Sequence, residues 1–392
     1  MSFKSLVIEL VAAIALFNLC LENYGAEGIN HRKISKKEDM EFDRQLKILN
    51  KPPVKTIRTE FGDVYDCINI YKQPAFDHPL LRNHKIQMQP NLIHGEQGDE
   101  PNPGMFSSVD RYKFEGCPPE TVPIRRTTKK DLINAKNHFQ WMKQRHYVAV
   151  QPNPKKIFYG ARARLSVTNP TVQSSQLSTS QIWIMNGPRE NLNSIEVGWA
   201  VYPELFGDNR TRVFGLWTAD GYKEKGCFNT LCEGFVQVHP EYFFGEPLRE
   251  GTYGKEQRGF DFSVHRGSDG KWWFIDGRDK ATIGYWPPEI FTHLKNPATV
   301  VEFGGSAGAD PGKPYPPMGY GRLPVFDSRI TSCMLQMKVV AEQDGFFEDF
   351  DWWDVQIRRD TNPSCYDIIF PGEYLLSGLI MLFGGPGGGD CH

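Results

Sequence analysis

Along the last two-thirds of the chain, hydrophobic and polar positions alternate in short runs. "ARLSVT", "SQIWIM", "SIEVGWAVY", "RVFGLWT", "GFVQV", "FDFSVH", "KWWFIDG" and "ATVVEFG" are rich in β-branched and aromatic residues and are separated by turn residues. A period of two bounded by turn signals predicts strands. No helix-period run of comparable length alternates with them, so the pattern predicts an antiparallel all-β domain, sandwich or barrel, from about His146 onward. Upstream, "TEFGDVYDCINIYKQPAFDHPLLRNHKIQMQP" reads as a smaller compact part. A loop rich in Gly, Pro and acid follows between His94 and Pro119, then a basic linker that runs into the first long strand. The charged stretch to about Asn50 suits a helix or an arm. At the N-terminus, Lys4 precedes the apolar run Leu10–Phe17, and Gly25 and Ala26 follow. This predicts a secretory signal peptide over residues 1–26, too short to span a bilayer.

Composition adds constraints. The 392 residues allow one large domain or two. A formal net charge of −2 implies no strong field, so nucleic acid is not an expected partner. No later segment is long and apolar enough to predict a membrane span. After Cys20 leaves with the signal peptide, seven cysteines remain. Cys227 and Cys232 enclose four residues and suit a local loop. Cys365 with Cys391 would fasten the tail, and Cys67 with Cys117 would close the N-terminal part. Cys333, in "ITSCMLQMKVV", would then stay free in a buried strand. A zinc site is the rival reading, but neither paired C-x-x-C nor H-E-x-x-H is present, so no metal or other cofactor is expected. Asn209-Arg210-Thr211 is a usable glycosylation sequon, whereas Asn169 and Asn362 precede proline. Arg125-Arg126, Lys129-Lys130 and Lys143-Gln144-Arg145 are candidate processing sites or a solvated basic face.

Candidate chemistry lies on two strands. In "SIEVGWAVY", Ile195, Val197, Trp199 and Val201 share one face, and Glu196, Gly198, Ala200 and Tyr202 share the other. Small neighbours beside Glu196 suit a groove in which another backbone could lie. In "VVEFGGSAG", Val300, Glu302, Gly304 and Ser306 share a face. Two carboxylates in one groove suggest acid–base hydrolysis. "GGSAG" also fits the G-x-S-x-G nucleophile elbow. That elbow needs a helix after the serine, and Pro311, Pro314, Pro316 and Pro317 forbid one there.

Several motifs together resemble the plant neprosin family of secreted glutamic peptidases. "QPAFDHPLL" before Asn83-His84 and "GCPPETVPIRRT" are similar to its activation peptide. "SIEVGW", "YPELFGDN", "WTADGY", "GCFNTLC", "GFVQ", "GYWP" and "FGGPGGGDC" are similar to its catalytic blocks. The resemblance implies a prosegment over residues 27–144 and an antiparallel β-sandwich peptidase domain over 145–392. It implies cleavage after proline at acidic pH by two glutamates. Glu196 occupies the first position. In the family the second follows G-G in E-W-G-G-E, where this chain has Ser306, with Glu302 as a possible substitute. Two functions therefore stand: a secreted endopeptidase with impaired chemistry, or a silent relative that binds proline-rich peptides or cell-wall polymers. Expected partners are a peptide or proline-rich protein and the chain's own prosegment. The expected location is extracellular, in the cell wall or in the vacuole. Trp199, Trp217, Tyr222, Trp272, Trp273 and Trp286 suit either a groove or the core.

Overall fold

The computed structural model describes residues 35–91, 106–110, 112–134, 142, 144–153, 155–374 and 377–391. The expected signal peptide lies outside them. Two compact units divide at Asp43. The described residues of the first open helix α1 (Lys36–Leu49). Ser35 caps it: its Oγ accepts from the Glu38 N–H at 3.2 Å, and Glu38 Oε2 accepts from the Ser35 N–H at 3.1 Å. This reciprocal pair satisfies two donors that a helix start leaves open.

The second unit, Arg44–His392, contains every strand of the described residues. Its first part has β1 (Lys55–Arg58), β2 (Val64–Asn69), the short β3 (Ser107–Ser108) and β4 (Thr121–Arg125). The chain then enters β5 (His146–Pro152), β6 (Gly160–Ser166), β7 (Gln176–Asn186) and β8 (Asn193–Val201), and crosses α2 (Pro203–Phe206). It continues through β9 (Thr211–Thr218), β10 (Gly226–Phe228), β11 (Val236–Gln237), β12 (Arg258–Arg266), β13 (Trp272–Asp276) and β14 (Ala281–Trp286). The last strands are β15 (Val300–Ala309), β16 (Ser332–Val340), β17 (Val355–Arg359), β18 (Asp367–Glu373) and β19 (Leu379–Gly384).

Three sheets result. A small one runs β1-β2-β4, a seven-stranded one runs β10-β9-β8-β7-β15-β5-β17, and a third runs β11-β14-β13-β12-β6-β16-β19-β18 with β3 beside β12. The two large sheets form an antiparallel sandwich, as the alternation predicts, and β3 joins β12 in parallel. Ile195, Val197 and Trp199 of β8 and Val301 and Phe303 of β15 share one buried core with Phe260, Phe262 and Val264 of β12. Buried tryptophans keep their polar handles paired: the Trp199 indole N–H donates to the Ser166 carbonyl at 2.9 Å, and that of Trp272 to the Leu294 carbonyl at 2.7 Å. Trp199, Trp217, Trp272, Trp273 and Trp286 are all buried, and only Tyr222 of the aromatic set reaches the groove face.

The first three-stranded sheet packs on the flank where β11 and β14 end the third sheet. Ile68, Ile70, Val122 and Ile124 share a core with Val236, Trp273, Ile275 and Tyr285. Arg125 and Arg126, one candidate processing site, are built into this part. Arg126 Nη2 lies 2.6 Å from Asp66, and Arg125 pairs with Asp131 at 3.3 Å and with Asp63 at 3.4 Å. Among the described residues no helix is long and apolar enough to cross a membrane. Asn209 of the sequon is exposed.

Disulfides join Cys67–Cys117, Cys227–Cys232 and Cys365–Cys391. Cys333 is free and buried, and burial pushes its thiol well above the usual range. Cys365 and Cys391 are 26 residues apart. Replacing both by serine is expected to cost about 3 kcal/mol, the loop-closure entropy regained by the unfolded chain. Denaturant unfolding of the double variant at neutral pH checks this through its midpoint.

Candidate active site

The outer face of the seven-stranded sheet carries the chemistry. Strands β8, β7 and β15 are adjacent and pair without a register shift. Glu196 is opposite Trp183, and Trp183 is opposite Glu302. The two glutamates therefore occupy one row, two strand spacings apart, or about 9–10 Å between Cα atoms. The next row along that face is Gly198, Gln181 and Gly304, and the one after it is Ala200, Thr179 and Ser306.

Ser306 thus lies four residues along β15 from the row of Glu196. No bulge near Gly304-Gly305 shortens the gap, because β15 pairs continuously with β7 from Val300 to Ala309. Nor is Ser306 at a turn: it sits within a strand that extends to Ala309. It is fully buried. Its hydroxyl meets Thr179 Oγ1 at 2.9 Å, and its backbone N–H donates to the same oxygen at 3.2 Å. It has no base beside it, so the elbow reading fails on geometry as well as on sequence.

The glycines have a different role from the one expected. A Cβ on Gly198 would lie 2.0 Å from the Ser180 carbonyl oxygen, and one on Gly304 would lie 2.0 Å from that of Val148. Both would meet a neighbouring strand's backbone. Close strand approach, rather than room in the groove, requires glycine at these two positions.

Glu196 is fully buried and surrounded by donors. Arg145 Nη1 donates to its Oε2 and Arg145 Nη2 to its Oε1, each at 2.6 Å. The Gln181 amide donates to Oε2 and the Tyr222 hydroxyl to Oε1. Tyr222 reaches it through two successive left-handed residues, Gly221 at φ 69° and Tyr222 at φ 59°. The turn is held by the Tyr222 N–H on Thr218 Oγ1 at 3.0 Å. Burial and the neighbouring Glu196 hold the Tyr222 hydroxyl protonated, well above its ordinary range. The Arg145 guanidinium lies over the Trp183 ring at 5.8 Å and over the Tyr222 ring at 5.5 Å. A planar fork on a carboxylate, boxed by two aromatic faces, is a strong form of ion pair.

Glu302 has different surroundings. It is nearly buried, and its cationic neighbour is Arg358, with Nε at 3.8 Å from Oε1. Burial raises its carboxyl to about 7, against the pull of Arg358 and Arg145 and with a further push from Glu196. A carboxyl held protonated into the neutral range by burial is a candidate general acid.

Alternation in the sequence brings Glu196 and Glu302 to one face. It does not reveal Gln181, Trp183, Arg358 or the role of Arg145. Gln181 and Trp183 do have a signal: in "SQIWIM" they alternate with the core residues Ile182 and Ile184, so a polar side chain and an aromatic one share the outer face of a buried strand. Among the described residues, no cluster suited to a metal is present.

The raised carboxyl has a measurable consequence. A group whose folded value exceeds its unfolded one favours the fold below the unfolded value and loses that advantage as pH rises through the folded one. Moving Glu302 from 4.5 to about 7 makes its ionised form unfavourable in the fold by on the order of 3 kcal/mol. Glu302→Gln is therefore expected to match the natural chain in stability near pH 4 and to exceed it above pH 8. Urea unfolding at the two pH values checks the difference.

Among solved structures, the chain is similar to scytalido-glutamic peptidase bound to a transition-state analog inhibitor. That match has 14% identity and a TM-score of 0.36, over 61% of this chain and 98% of that one. It is also similar to SCP-B, a member of the Eqolisin family of peptidases in complex with the tripeptide Ala-Ile-His. There the identity is 11% and the TM-score 0.33, over 61% of this chain and 96% of that one. Residues 56–176 match the Neprosin activation peptide, which extends past the expected boundary at 144 into the first strands of the sandwich. Residues 174–386 match Neprosin itself, and the chain belongs to the Neprosin family of glutamic peptidase-like proteins.

Proposed function

We propose that this protein is an acid endopeptidase whose working pair is Glu196 and Glu302, kept latent by Arg145 until the linker is cut. The observation that carries the reading is the single row Glu196–Trp183–Glu302. In this scheme Glu196 takes a proton from water as the water oxygen bonds to the scissile carbonyl carbon. Glu302, protonated below about pH 7, gives its proton to the carbonyl oxygen. When the tetrahedral adduct collapses, the C–N bond breaks and the amine leaves with the proton held by Glu196. The hydroxyl proton returns to Glu302, so both carboxyls regain their starting states. Gln181 and Tyr222 orient Glu196 throughout.

Ser306 takes no part in this scheme, so its serine does not impair the reaction. Latency has a separate cause, because the Arg145 guanidinium occupies the carboxylate that must accept the proton. The family resemblance extends the proposal to cleavage after proline. Export into an oxidising compartment, whether extracellular, cell-wall or vacuolar, is part of the same reading and is supported by the three disulfides. Exported protein should begin near residue 27, which N-terminal sequencing checks.

Protein cut in the linker and incubated with a library of proline-containing peptides should cleave them at acidic pH. Activity should fall as the pH rises through about 7, where Glu302 loses its proton. Glu196→Gln and Glu302→Gln should each lower kcat by at least ~100-fold, while Ser306→Ala stays within a few-fold of the natural sequence. Full activity in Glu302→Gln would overturn the assignment. Absence of cleavage, with tight binding of the same peptides, would favour the silent peptide-binding relative instead.

A further inference from the structure

Among the described residues, the folded body of the prosegment lies on the flank of the sandwich, and the end of the linker lies at the groove. There Met142 is buried against Ala200, Phe214 and Leu216 on the sheet's outer face, and Arg145 takes Glu196. Cutting the chain between the body and the linker's end would leave the flank contact in place.

The flank contact is built like the interior of one domain. Leu81 and Val109 belong to the main sandwich core. Tyr65 is buried, with its ring 4.3 Å from that of Phe243. Gln73, also buried, completes the edge strand β11. Its Nε2 donates to the Gln237 carbonyl at 2.9 Å, and its Oε1 accepts from the Gln237 N–H at 2.8 Å. The side-chain amide thereby stands in for a neighbouring strand, and its removal would leave a buried backbone pair unsatisfied. Asp63 reaches the buried Arg212 at 2.8 Å. Farther round, β3 adds to β12, and Phe106 inserts among Cys333, Leu335, Ile380 and Leu382. The Phe106 carbonyl accepts from buried Arg164 at 2.7 Å. This strap lies within the loop closed by Cys67–Cys117, so body and strap stay covalently one piece after any cut beyond β4.

We propose that the prosegment is a lasting subunit: cutting the linker yields a two-chain protein, with the prosegment still seated on Trp273, Tyr285 and Gln237. Met142 and Arg145 at the linker's end, rather than the folded body, lie on the groove face. This inference does not depend on the catalytic assignment.

The test uses the full chain with a recognition sequence for a site-specific protease replacing residues 136–141. The chain is cut to completion at neutral pH, diluted to about micromolar concentration and passed over a sizing column. Both fragments should elute together at the position of the uncut protein, in moderate and in high salt. Elution of the prosegment as a separate species would overturn the proposal. In a second arm, Gln73→Ala in the same chain should leave the uncut protein folded by circular dichroism. After cutting, it should speed prosegment dissociation at least tenfold. Release no faster than from the unsubstituted chain would show that Gln73 does not hold the interface and would overturn the assigned contact.

Discussion

The functional face depends on one constraint, the unbroken antiparallel register of β8, β7 and β15. Because each strand alternates its side chains, a slip of one residue in β15 would turn Glu302 into the core and bring Phe303 to the surface. The apolar residues that fill the space between the sheets, Val301 and Phe303 on one strand and Ile195 and Val197 on another, prevent that slip. Gly198 lets β8 close on β7, and Gly304 lets β15 close on β5. Core packing and the placement of the Glu196–Trp183–Glu302 row are thus two faces of the same hydrogen-bonded ladder.

Arg145 is then a charge placed where the ladder leaves a buried carboxylate in need of partners. Removing one member of such a pair leaves the other desolvated and alone. Gln181 and Tyr222 also donate to Glu196, so the carboxylate has two hydrogen bonds that do not depend on Arg145. Glu302 receives no comparable set of donors. Glu302, raised to about 7, holds its proton over most of the acidic range, whereas Glu196 is met by four donated hydrogen bonds.

Much of the fold is legible in the chain itself. Alternation gives the strands and their inward faces. Cysteine spacing suggests the three disulfides that the structure contains, with Cys333 left over. Prolines after Ser306 rule out the elbow. Register is what the sequence hides. Glu196 and Glu302 are more than a hundred positions apart, and nothing local to either says which residue of β15 shares a row with Glu196. The Gly-Gly-Ser match marks a position along a strand, and the sheet then sets that position two rows away. Arg145 is legible only as part of a basic cluster, because a charge near a domain boundary carries no sign of the buried partner it meets. The prosegment is expected to cover the groove. Among the described residues, Met142 and Arg145 at the linker's end lie on the groove face, while the folded body takes the flank, where the edge strand β11 is too short to protect itself.

Cys333 bears on how the molecule fares when it is lost and regained. In the fold its thiol is sealed between Phe106 and the strands around it, with its proton held tightly, and it cannot attack a neighbouring bridge. Unfolding removes that seal and leaves, among the described residues, one ordinary thiol beside three cystines. Thiolate attack then shuffles the bridges at a rate that rises with pH. Heating in mild alkali therefore drains molecules into mispaired forms, and the survival of this protein under heat becomes a question of elapsed time rather than of equilibrium. The strap carrying Phe106 thereby acts as a stopper on the free sulfur of Cys333.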